Sequence, residues 1–83
     1  MSWFCYLLRC ADDSLYCGIT NDLDKRLAAH NAGTASRYTR VRLPVVLVYV
    51  EPCESRSAAS KREMEIKRLT REKKLALIRP RPG

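Results

Sequence analysis

The short polar break Ala11-Asp12-Asp13-Ser14 falls between two apolar segments, Trp3–Arg9 (WFCYLLR) and Leu15–Thr20 (LYCGIT). Both read as strands. So short a connection favours an antiparallel hairpin, because a parallel pair needs a crossover of a dozen residues or more. With a period of two, Phe4, Tyr6 and Leu8 share one face of the first strand. Tyr16, Gly18 and Thr20 share one face of the second. If the register aligns these faces, Tyr6 and Tyr16 come close, but the pattern leaves the register open.

The stretch after the hairpin reads as an amphipathic helix over Asp22–Asn31. Asn21 is placed to cap it, and Asp22 and Asp24 lie in the first turn, where the dipole favours acids. Leu23 and Leu27 mark its buried side. Arg26 and His30, the only histidine, lie four apart and so share a face. Gly33 suits a left-handed stop. Thr34–Leu43 is polar, basic and loop-like. Pro44 then opens a third strand, Val45–Glu51 (VVLVYVE), whose unbroken apolar run predicts burial on both faces. Pro52 is expected to stop it.

Ser55 or Ser57 can cap a second helix running to about Leu69. A last short helix follows over Arg71–Ile78, with Thr70 as break or cap, and residues 79–83 form a frayed Pro-rich tail. The order ββαβαα predicts one α+β domain over 1–83, with a core at about 3–78 and a small three-stranded antiparallel sheet.

Charge separates the chain into two parts. Residues 1–54 carry six basic and six acidic side chains, whereas residues 55–83 carry ten basic and three acidic. The whole excess of +7 therefore lies in the last third. A solvated helix face is the plain explanation, and an anionic partner is the functional one. Met1–Cys10 has no basic start, and Trp3–Leu8 is far too short to span a membrane. These features predict a cytoplasmic protein without a membrane partner. Cys5, Cys10, Cys17 and Cys53 are then expected to be thiols that fill the core. None of their spacings is CxxC, which argues against structural zinc.

The second helix holds a carboxylate in an unexpected position. At 100° per residue Ala59, Glu63 and Ile66 fall in one narrow stripe, with Glu63 in its middle. A carboxylate there costs stability unless it is paired or binds a metal. One reading is a buried salt bridge, with Arg26 as a candidate partner. The other is a ligand for a hard cation. Magnesium keeps several waters and is held by one or two carboxylates plus substrate phosphate, so a single glutamate is enough.

These residues resemble, in order, the motifs of the GIY-YIG nuclease domain, most closely its small stand-alone bacterial members. Tyr6 in Phe4-Cys5-Tyr6 matches the tyrosine that ends the first motif. Tyr16-Cys17-Gly18-Ile19-Thr20 matches Tyr-x-Gly followed by threonine. Arg26 and His30 match the helical arginine and histidine, and Glu63-Met64-Glu65-Ile66-Lys67 matches the glutamate followed by a hydrophobic residue and a lysine. The departures are Phe4 for the first glycine and Cys17 for an aliphatic residue, and neither removes a reactive group.

The resemblance implies a nuclease that hydrolyses phosphodiester bonds with one divalent metal, Mg²⁺ or Mn²⁺. It implies catalytic roles for Tyr6, Tyr16, Arg26, His30 and Glu63. Glu63 holds the metal, and Arg26 stabilises charge on the scissile phosphate. Tyr16 or Tyr6 orients and deprotonates the water. His30 assists proton transfer or contacts phosphate, and Gly18 lets the backbone approach the substrate. Arg37, Tyr38 and Lys67 are substrate-binding candidates, Tyr38 as a platform for a base. Arginine's planar fork suits nonbridging phosphate oxygens. A free phenol titrates near 10, so as a base it needs help.

Taken singly, each tyrosine reads as an ordinary strand residue, Arg26 as a surface arginine and His30 as a dipole-favoured helix end. The expected function is a DNA endonuclease in repair, recombination or processing, with weak sequence specificity. The expected substrate is single-stranded, double-stranded or branched DNA, with a protein partner supplying specificity. The alternative is a non-catalytic nucleic-acid-binding module.

Overall fold

A computed structural model describes residues 2–79. The hairpin forms as the short break requires: β1 (Trp3–Arg9) and β2 (Leu15–Thr20) are antiparallel. Asp13 turns the corner with φ 69°, a left-handed conformation that Asp tolerates better than most residues. The chain continues through α1 (Leu23–Asn31), α2 (Arg37–Arg40), β3 (Val46–Cys53), α3 (Arg56–Lys67) and α4 (Arg71–Ile78). The main elements follow the order ββαβαα. The stretch read as a loop gains one turn of helix, α2. Ser36 starts that turn by accepting from the Tyr38 amide at 3.1 Å. The Pro-rich tail lies outside the described residues from Pro80 onward.

The sheet is three-stranded and antiparallel, in the order β2-β1-β3. This order overturns the expectation for the third strand. β1 is central and its Cys5–Leu8 run is buried, whereas β3 is an edge strand with Val46 at 51% and Val50 at 41% exposure. Sequence alone cannot tell an apolar central strand from an apolar edge strand. The edge position also explains why Pro52 does not stop β3. Only its missing N–H matters to a ladder, and an edge strand needs just half of its backbone donors.

Alternation along β1 and β2 divides the core into two layers. Cys5, Leu7 and Cys17 meet Ile66 of α3, with Leu77 and Ile78 of α4 packed beside them. On the other face Tyr6, Leu8, Cys10 and Val45 meet Tyr16, Leu23, Leu27 and Leu43. Each fully buried leucine or isoleucine here contributes about 1.5–3 kcal/mol. All four cysteines are free, and the Cys5 and Cys17 sulfurs lie 3.7 Å apart in the first layer.

Side chains stitch the layers at defined points. Asp22, not Asn21, caps α1, accepting from the Lys25 amide at 3.1 Å. Thr20 holds Asp22 extended, its hydroxyl accepting from the Asp22 amide at 3.1 Å. Ser55 caps α3 and Thr70 caps α4. Gly33 ends the α1 region at φ +80°, the left-handed stop that the sequence called for. The Asn31 amide pairs with Val45 on both sides, donating to its carbonyl (3.2 Å) and accepting from its N–H (2.9 Å). Arg62 of α3 grips Glu51 of β3 at 2.8 and 3.0 Å, and the Tyr49 hydroxyl donates to the same carboxylate at 2.6 Å. At the hairpin tip Asp12 pairs with Arg42 (2.9 Å), while Asp13 pairs with Arg71 (3.0 Å).

Candidate active site

The register places Gly18 directly opposite Tyr6, and Tyr16 opposite Leu8. The two tyrosine faces therefore align. A Cβ at Gly18 would lie 2.5 Å from the Tyr6 hydroxyl oxygen, so glycine is required for that hydroxyl to rest where it does. From α1 above, His30 meets both rings edge-on, with centroids 5.9 Å from Tyr6 and 5.2 Å from Tyr16. The Tyr6 hydroxyl and His30 Nε2 are 2.9 Å apart. His30 Nδ1 lies 2.9 Å from the Thr39 hydroxyl of α2, which also reaches the Ser36 carbonyl at 3.4 Å.

This chain of polar groups is enclosed: Tyr6 is 3%, His30 1% and Thr39 0% exposed. Both imidazole nitrogens are occupied inside the protein, so His30 has none to offer a phosphate. That part of its expected role does not match the geometry, and the link to Tyr6 takes its place. Thr39 lay in the segment read as loop. A threonine three residues after a capping serine was the only signal that it would point inward.

Tyr38 stacks on Tyr16 with centroids 5.9 Å apart and planes inclined by 27°. The Arg42 guanidinium lies 3.9 Å over the Tyr38 ring, held there by Asp12 and by the Tyr38 carbonyl. Arg42 was not singled out by the sequence, yet it completes this aromatic shelf. Arg37 is exposed at the start of α2 and joins none of these contacts among the described residues.

Arg26 lines a cleft of about 210 Å³ with Thr20, Asn21, Asp22, Lys25 and Ala29. Its charge reaches into the enclosed group. Burial, with the Arg26 guanidinium nearby, holds His30 below the usual imidazole range. Burial and the neighbouring Tyr16 phenol push Tyr6 above the ordinary phenol range, while Arg26 works in the opposite direction.

Glu63 approaches from the other layer. Helix α3 packs on the Cys5–Cys17 face, opposite the tyrosines. Among the described residues no hydrogen bond or ion pair joins Glu63 to the tyrosines, Arg26 or His30. Its negative charge adds slightly to the upward shift of the Tyr6 phenol, which burial dominates. Glu63 sits at the rim of the apolar stripe rather than in its middle, 22% exposed and 3.5 Å from Lys67. Among the described residues its ion-pair partner is Lys67, not Arg26, so the expected buried bridge does not form. Neighbouring Ala59 and Ile66 take the buried positions instead.

No cluster of three or more His, Cys, Asp or Glu side chains that could hold a metal occurs among the described residues. Glu63 taken as a ligand would offer one hard carboxylate. That suits a magnesium-like ion completed by water and phosphate oxygens, and it does not suit an all-protein cage. No described helix is long and apolar enough to cross a membrane.

His30 gives the site a testable pH signature. Folding lowers its pKa, so the unfolded chain binds the imidazole proton more readily. Stability therefore rises with pH across that interval. The loss should begin below about 6.5, the free imidazole value, and level off once pH drops beneath the folded pKa. With one histidine in the chain and carboxylates titrating nearer 4, urea midpoints at pH 7.5 and 5.5 isolate the effect. Equal midpoints would show that the imidazole is not held neutral.

A family model for the GIY-YIG catalytic domain matches residues 2–76. A UPF0213 protein from Staphylococcus aureus is 51% identical over 80 residues, covering 96% of this chain and 98% of that protein. The solution NMR structure of the UPF0213 protein BH0048 from Bacillus halodurans superposes with a TM-score of 0.60 at 40% identity, covering 94% of this chain and 83% of that one. That of EF2693 from E. faecalis gives 0.59 at 36% identity, covering 100% and 95%. With the tyrosines, glycine, arginine, histidine and glutamate on one nuclease-type fold, the chain belongs to the GIY-YIG catalytic-domain family, among its small stand-alone UPF0213 members.

Proposed function

We propose that the protein is a divalent-metal-dependent nuclease that hydrolyses phosphodiester bonds in DNA, an endonuclease with weak sequence specificity acting in repair, recombination or processing. One observation carries the reading. The enclosed Tyr6 phenol lies 2.9 Å from His30 Nε2 and His30 also meets Tyr16, on the helix that carries Arg26 into an open cleft. A phosphate would be received at the open cleft that Arg26 lines, with the enclosed pair behind it.

In this reading Arg26 binds the nonbridging oxygens and stabilises the charge that builds on them. Tyr6 takes a proton from the attacking water as it passes its own to His30 Nε2. The imidazole is neutral at pH 7 and so able to receive it. Tyr16 walls the site, and Gly18 keeps the strand backbone low beneath the substrate. Glu63 would hold Mg²⁺ or Mn²⁺, and such an ion supplies charge neutralisation and a more acidic water. Lys67 sits one turn along to contact phosphate. Tyr38, packed against Tyr16 and under Arg42, offers its exposed edge to a sugar or phosphate, with Arg37 next to it in the chain. Exposed Lys61 on α3, Arg68 just after it, and Arg71 and Lys73 on α4 give a positive surface for the flanking backbone, which reads charge rather than sequence. A partner protein in the cytoplasm would add specificity.

The test is cleavage of single-stranded, duplex and branched DNA by the purified chain. Products are expected with Mg²⁺ or Mn²⁺ and none after chelation. Binding without cleavage under every metal would replace this reading with that of a nucleic-acid-binding module.

A further inference from the structure

We propose that Thr39 is a positioning residue that fixes the tautomer of His30, so that the imidazole turns a bare Nε2 toward the Tyr6 phenol. The inference rests on the nuclease reading for its consequence, but on hydrogen-bond accounting for its content.

Three side chains share three hydrogens in an enclosed space. Tyr6 has one hydroxyl hydrogen, neutral His30 has one ring hydrogen, and Thr39 has one hydroxyl hydrogen. Their contacts form a line: Tyr6 Oη to His30 Nε2, His30 Nδ1 to Thr39 Oγ1, and Thr39 Oγ1 to the Ser36 carbonyl. The Ser36 carbonyl can only accept, so it gives the line a direction. Thr39 donates to it and therefore accepts from Nδ1–H. Nε2 is then a lone pair, and Tyr6 donates to it. Every hydrogen is placed, in keeping with a structure that leaves no buried side-chain nitrogen or oxygen unpartnered among the described residues.

The reverse arrangement fails this count. With the proton on Nε2, His30 would donate to Tyr6 and Thr39 would donate to Nδ1. The Tyr6 hydroxyl hydrogen would then have no partner in a side chain that is 3% exposed, and an unpartnered buried donor is costly.

The placement of Thr39 follows from local chemistry. Ser36 caps α2 through its side chain, and its carbonyl accepts both the Arg40 amide (3.1 Å) and the Thr39 hydroxyl. One turn of helix thus turns Thr39 inward and aims its oxygen at α1. The shelf residue Tyr38 and the orienting residue Thr39 are neighbours on that turn. This connects the outer contact to the inner relay.

The imidazole can act as proton acceptor behind Tyr6 only in this tautomer. In the other, Nε2–H faces the phenol and there is no site for its proton. Loss of the Thr39 oxygen should therefore lower kcat and leave the KM for DNA nearly unchanged.

The chain holds one histidine, so a long-range ¹H–¹⁵N spectrum of the labelled full chain reports a single imidazole. The wild type should show a protonated Nδ1 and a bare Nε2. Thr39→Val, close to threonine in shape, should lose that preference and drop kcat by about 10²-fold with KM within about twofold. Thr39→Ser should restore the tautomer and most of kcat. A wild-type imidazole protonated at Nε2 overturns the proposal, as does a Thr39→Val protein that keeps both tautomer and kcat. If Thr39→Val does not fold, the wild-type and Thr39→Ser spectra decide. Should the wild type cut no DNA, the nuclease reading fails while the tautomer still stands or falls by its spectrum.

Discussion

Glu63→Gln is expected to remove cleavage while leaving the fold and DNA binding in place. Glu63 is the half-buried carboxylate of α3, and glutamine keeps its shape without that charge. If Glu63 holds the cation, its loss removes a contribution of several kcal/mol to the transition state, or about 10³-fold in rate. Stability should barely move. The carboxylate's ion pair is the i,i+4 contact with an exposed Lys67 at 3.5 Å, and such pairs are worth only about 0.3–0.5 kcal/mol. DNA affinity should hold or rise slightly, because a negative charge leaves a basic surface. The comparison therefore needs a melting curve, a binding isotherm and a cleavage time course on the same preparation. A variant that cuts within tenfold of wild type would remove Glu63 from the chemistry.

Leu7→Ala should produce the largest loss of stability. Leu7 is fully buried on the central strand, where it packs with Cys5, Cys17 and Ile66. Truncating a buried leucine costs about 2–5 kcal/mol, through lost transfer energy and the cavity left behind. A domain of this length has a total stability of roughly 4–12 kcal/mol, so the loss is a large fraction of the whole. Val50→Ala on β3 is the control, since Val50 is 41% exposed and should cost well under 1 kcal/mol. Urea denaturation of both variants checks the contrast. Similar midpoints would mean that β3 is covered in solution.

That contrast also marks where the sequence was legible and where it was not. The hairpin, the alternating faces and the caps at Ser55 and Thr70 follow from short-range chemistry, and they were readable. The burial of β3 was not. The run Val45–Val50 is more apolar than β1, but strand order depends on long-range pairing that hydropathy does not record. Pro52 was a missed hint, because a proline inside such a run points to an edge.

The site divides along the same line. Tyr6, Tyr16, Gly18, Arg26, His30 and Glu63 could be named because their types and order resemble a known pattern. Their relations could not. The pairing of His30 with Tyr6 needs the register, and the role of Thr39 needs α2, one turn too short to leave a periodic signal. Arg42 looked like one more loop arginine until Asp12 was seen to hold it over Tyr38. Glu63 looked central on its helix because helical angle alone does not say which part of the stripe meets the sheet; Ala59 and Ile66 do.

The hairpin tip carries a consequence for anyone wishing to graft a reporter or an affinity handle into this chain. Exposed tight turns are ordinarily the tolerant places for added residues. Here the adjacent Asp12 and Asp13 each hold an arginine, from the turn after α2 beside the tyrosines and from the start of α4 on the opposite layer. Extra residues at this corner would pull on both layers at once. They would also release Arg42 from the aromatic shelf, so a graft that looks remote from the site would be felt at Tyr38.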